Sequence, residues 1–122
     1  MTTNHTEGPW AVSPENPKII KPADQFGMAS NVIIGSAAGH PNSGFFPTDE
    51  EAIANARLIA AAPELLEALE KRRQVDSAYV QLALSEVDPD THERLLQQIE
   101  DAEDAAKDAA RAAIAKAKGE QQ

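Results

Sequence analysis

The 122-residue chain has no cysteine, five aromatic side chains and no apolar run approaching a bilayer span. The first absence excludes a disulfide framework and every thiolate mechanism. The last excludes a helical membrane anchor. Cations are also short: 11 Lys and Arg face 20 Asp and Glu, a net charge of −9. A nucleic-acid binder needs clustered cations to displace phosphate counterions, so neither a duplex nor an anionic membrane is an expected partner. The opening "MTTNHTEGPW" has neither the basic nor the apolar region of a signal peptide. A cytoplasmic protein is the expectation.

Catalytic constellations are missing as well. His5, His40 and His92 lie far apart, without metal-ligand spacing. "DPDTHE" lacks the glycine and closing glutamate of a calcium loop, and "GSAAGHPNSG" lacks the Lys-Ser/Thr of a phosphate-binding loop. No serine stands in a nucleophile context. The expectation is a non-enzyme with no catalytic residue, no metal and no cofactor.

What is present divides near residue 47. Six of eight prolines and five of six glycines precede Thr48. This third contains the short β-like runs "PWAV", "KII" and "NVIIGSA", then a loop over 35–47 that ends on Phe45 and Phe46. From Thr48 the pattern is helical. "TDEE" is a capping box with acids in the first turn, and it predicts a helix from Asp49 to about Ala61. Pro63 ends that helix and suits the first turn of a second. The second helix packs Leu65, Leu66 and Leu69. Its stripe is interrupted at Arg72, Arg73 and Asp76, which leaves room for a twist or break near 72–76. Asp88 and Pro89 start a third helix that runs to about Lys118, with Gly119 as its C-terminal cap.

The fold class expected is α+β: a single domain over 1–122, with a β-rich and loop segment over 1–47, helices one and two over 48–86 and a long helix over 88–119. The third helix carries one apolar stripe, from Leu95 and Ile99 through Ala106 and Ala110 to Ala117. At 1.5 Å per residue it is a rod of roughly 45 Å, too long for one small domain to cover. It is expected to pair with helix two or with its own copy, making a homo-oligomer through the C-terminal helix.

Asn55 and Arg57 stand out in "ANARLIAAAPELLEALE". Two residues apart on a helix, they diverge by about 160° and cannot form one bidentate site. Arg57 either ties its helix to a carboxylate such as Glu50 or Glu64, or to a backbone carbonyl, or contacts an anionic ligand through its planar fork.

Together "HTEGPW" and "NARLIAAAPELLEALE" resemble a class of small phage and prophage accessory proteins with an HT-x-GPW start and a NARLIAAAPELLEAL helix. The match is tight over 55–70 and good over 5–12, with Glu7 standing where the pattern has proline; residues 76–122 have no counterpart in it. The resemblance implies a phage protein in the host bacterial cytoplasm, acting against host defence. The layout of a small sheet followed by helices is similar to that of Thoeris anti-defence sponges, which sequester cyclic ADP-ribose signals. That similarity implies capture of a host nucleotide signal, with Trp10, Phe45 or Phe46 stacking on a base while Asn55 and Arg57 contact ribose or phosphate. The alternatives are a protein–protein inhibitor of the anti-CRISPR type, using the acidic helices as its surface, and a structural oligomer without ligand.

Overall fold

A computed structural model describes residues 5–23, 33–38 and 47–120. The head begins with three short strands in the order β1-β2-β3: β1 is Trp10–Val12, β2 is Ile19–Pro22 and β3 is Gly35–Ser36. Both pairings are antiparallel, with Trp10 opposite Pro22 and Ile20 opposite Gly35. The β1–β2 turn is closed by the Ser13 amide on the Ile19 carbonyl (2.7 Å) and the Ile19 amide on the Asn16 carbonyl (3.0 Å). Of the described part of "NVIIGSA", only Gly35–Ser36 pair as strand, so they belong to it rather than to a loop; Asn31 and Val32 lie outside the described residues. Residues 39–46 of that expected loop lie outside the described residues.

Helix α1, Asp49–Ala60, starts where the capping box put it: the Glu51 amide donates to the Thr48 hydroxyl at 3.1 Å. Its buried face is Ala52, Ala56 and Ala60, at four-residue spacing. Small side chains at these positions let the sheet lie close, and Ile20, fully buried, packs on Ala56 and Ala60 together with Trp10, Val12 and Ile34. Ala61 forms the junction (φ −85°, ψ −2°), and α2, Ala62–Leu84, begins one residue later with Pro63 in its first turn. Helix α2 therefore starts a residue before the proline. The proline's missing N–H falls where no intrahelical acceptor is needed.

Helix α3, Pro89–Lys118, has Asp88 accepting from the Thr91 amide at 2.6 Å and ends on Gly119 in the left-handed region (φ 76°). Helices α2 and α3 form an antiparallel hairpin. Its seam is built from Ala68, Val75 and Leu82 on α2 and Ile99, Ala106 and Ala113 on α3, two runs of seven-residue spacing. No break occurs at 72–76. Counted in sevens the stripe never rotates, and Arg72 sits beside it rather than in it. Of the two partners expected for α3, helix two is the one seen: α2 covers the Ala106 stripe, so that position is 3% exposed within one chain.

Candidate functional site

The head, the sheet with α1, meets the arm, the α2–α3 hairpin, at one junction. Lys116, on α3, donates to the Trp10 carbonyl of β1 and to Glu64 Oε1 of α2, both at 2.7 Å. One ammonium therefore joins a strand and two helices. The second Glu64 oxygen is buried and has no partner. Gly8 completes the contact: a Cβ there would stand 2.7 Å from Pro63 Cβ, so only glycine lets the N-terminal segment close on the start of α2.

Beside this junction opens a cleft of about 540 Å³, lined by Val12, Arg57, Glu64, Glu67, Lys116 and Glu120 among others. Its charges are largely spent internally. Glu64 holds Lys116 and Glu67 pairs with Lys71 at 3.3 Å. The Arg57 side chain forms no hydrogen bond or ion pair with a described residue, and the residue is exposed. Its side chain lies over Gly119, where a Cβ would stand 2.7 Å from Arg57 Cδ and 2.9 Å from Nε. The guanidinium thus sits at the carbonyl end of α3, the negative end of the helix dipole, while also standing in the last turn of α1. Neither expected carboxylate, Glu50 nor Glu64, is its partner.

The other expected ligand residues do not converge on this cleft. Asn55 is exposed on α1 and does not line it. Trp10 is half-buried in the head's core; its indole N–H is taken by the Thr6 carbonyl at 3.0 Å, and the His5 ring meets it edge-on at 6.1 Å. Phe45 and Phe46 lie outside the described residues. Among the described residues no group of three or more His, Asp or Glu is placed to hold a metal, and no helix is long and apolar enough to cross a membrane.

A second polar feature binds the arm. Tyr79 Oη donates to Glu103 Oε2 at 2.7 Å, and Arg72 donates to Glu103 Oε1 at 3.2 Å while reaching Asp76 at 3.1 Å. The tyrosine hydroxyl, followed by the guanidinium, holds the Glu103 carboxyl below the usual glutamate range. The same bond raises Tyr79.

The outer face of α3 is different. Asp90, Glu93, Glu100, Asp101, Asp104 and Asp108 all stand exposed on the side turned away from the seam. Arg111 is taken by Asp108 at 3.2 Å, and Lys107 approaches Glu103 at 3.9 Å. Glu93, Glu100, Asp101 and Asp104 form no ion pair with a described residue, so this stretch is an acidic ridge in which the exposed Arg94 is interspersed and Asp101 accepts from Gln97 at 3.0 Å. Lys107 and Arg111 both lie toward the C-terminal end of this face.

A family model described as Salmonella phage P22 protein Y8K6 matches residues 1–121. No curated protein and no solved structure matches the chain. The chain belongs to the Salmonella phage P22 protein Y8K6 family.

Proposed function

From membership in this phage family, we propose that the protein acts in the host cytoplasm by binding rather than catalysis, and that it counters host defence by docking a basic host protein on the ridge of α3. The observation that carries this reading is the exposed, ion-pair-free set Glu93, Glu100, Asp101 and Asp104 on one long helix, in a chain of net charge −9. Such a surface repels nucleic acid and attracts proteins that bind it. The test is capture of cytosolic proteins from a bacterial host by immobilised protein at low salt. Basic proteins should be retained by the wild type, released as salt rises, and lost with the Glu100→Lys/Asp104→Lys variant. Equal retention by that variant would defeat the reading.

Capture of a nucleotide signal ranks second. Arg57 supports it, as a cation without an ion-pair partner at the rim of a cleft large enough for a nucleotide. Against it, Trp10 faces the head's core, and the helix end beneath Arg57 presents carbonyls, which disfavour phosphate. Calorimetry with cyclic ADP-ribose and cyclic dinucleotides separates the two: heat that disappears in Arg57→Ala would put nucleotide capture first.

A further inference from the structure

The face of α2 turned away from α3 carries a second apolar stripe. Leu66, Leu69, Val80 and Leu84 are 42%, 68%, 59% and 79% exposed. They form two aliphatic pairs, separated by about 16 Å of helix between Leu69 and Val80. Between the two leucines and the Val80–Leu84 pair, the same face holds Arg73 and Asp76. Arg73 is exposed and forms no ion pair with a described residue, while Asp76 is exposed and touches only Arg72 of its own helix.

We propose that this face pairs antiparallel with the same face of a second copy of the chain. The order of residues along it is self-complementary about a two-fold axis between Arg73 and Asp76. In that register Leu66 meets Ala83 and Leu84 of the second copy, Leu69 meets Val80, and Arg73 meets Asp76. Each contact then occurs twice, as an isologous interface requires. A parallel pairing would set Arg73 on Arg73 and Asp76 on Asp76, so charge selects the antiparallel arrangement. The flanking positions agree: Glu70 falls opposite Tyr79 and Arg72 opposite Ser77, with no like charges in apposition.

Residues 66–84 span about 28 Å, and the few aliphatic side chains along them make an interface smaller than the roughly 1,200 Å² of stable complexes, so association is weak and depends on concentration in the micromolar range. The pairing leaves the acidic ridge of α3 open, and it stands or falls independently of the host target. It also differs from assembly through α3, whose stripe is already filled by α2.

Sedimentation equilibrium from about 1 to about 200 µM tests it. The wild type should rise from the 13.1 kDa of one chain toward twice that mass. Arg73→Asp and Asp76→Arg should each weaken association at least about tenfold, and the double swap should recover most of the loss because opposite charges again meet. Leu69→Glu should abolish the dimer, with helicity by circular dichroism unchanged. A wild type that stays monomeric throughout, single swaps without effect, or a double swap no better than the singles would each overturn the proposal.

Discussion

Replacing Lys116 by methionine keeps the aliphatic stem and removes the ammonium that joins β1, α2 and α3. Two hydrogen bonds of 2.7 Å are lost, to the Trp10 carbonyl and to Glu64 Oε1. A hydrogen bond to a charged group contributes about 1.5–3 kcal/mol net, but the Lys116 and Glu64 side chains remain 33% and 31% exposed, so solvent recovers part of each. The Glu64 carboxylate is left worse than unpaired, because its other oxygen is already buried without a partner. A loss of about 2–3 kcal/mol follows, a large part of the total stability of a chain this size. In thermal unfolding it corresponds to a fall of about 10–15 °C. A second variant isolates the cause. Lys116→Met/Glu64→Leu removes both charges and should recover about 1 kcal/mol or more relative to Lys116→Met alone, since an apolar pair in a partly buried site costs less than an orphaned carboxylate. A Tm within about 3 °C of wild type for Lys116→Met would refute the claim that this ammonium holds head to arm.

Gly119→Ala should cost about 1–2 kcal/mol in urea unfolding, because φ is 76° and the new Cβ collides with Arg57. In an Arg57→Ala background the steric part should vanish and the backbone part remain. Tyr79→Phe should flatten the acid limb of stability. Glu103 is held low in the folded state, so its contribution is present above its unfolded value and disappears as pH falls through the folded one. Removing the hydroxyl narrows that gap, so the urea midpoint should fall less between neutral pH and about pH 3 than in wild type. Ala106→Glu should cost several kcal/mol and abolish helicity of the arm, since it buries a carboxylate in the seam. A folded protein that merely changed mass would show the seam misassigned.

Helix starts were legible because their signals are local. Thr48, Asp88–Pro89 and Gly119 each act within one turn of backbone. The partner of α3 was not legible from its stripe, since periodicity says which face is apolar and nothing about what covers it. The clue lay in helix two, where Ala68, Val75 and Leu82 repeat at the same interval as Ile99, Ala106 and Ala113. Arg57 shows the opposite error. Its neighbours in sequence are apolar, and Glu50, Glu64 or a backbone carbonyl was the expected partner within the chain. Yet the buried face of α1 is Ala52, Ala56 and Ala60, and position 57 is turned about 100° from it, into solvent. Lys116 went unnoticed because a lysine near a helix C-terminus has a sufficient explanation in the dipole. Its reach to β1 depends on a contact 106 residues apart in the chain.

The two stretches that carry the phage resemblance turn out to be two sides of one contact. Gly8 closes on Pro63, Trp10 packs with Ala56 and Ala60, and Lys116 ties the Trp10 carbonyl to Glu64. Glycine, proline and the alanines are required there by close approach, so these stretches report how the head is built. Gly8, Pro63 and the alanines are spent on packing, whereas Asn55 and Arg57 stand exposed beside them. The surfaces proposed above for a partner are on the arm: the acidic ridge of α3, and the face of α2 with Arg73 and Asp76 at its centre. Substitutions in the head should therefore alter stability with little change in what is bound, and substitutions on those two faces should do the reverse.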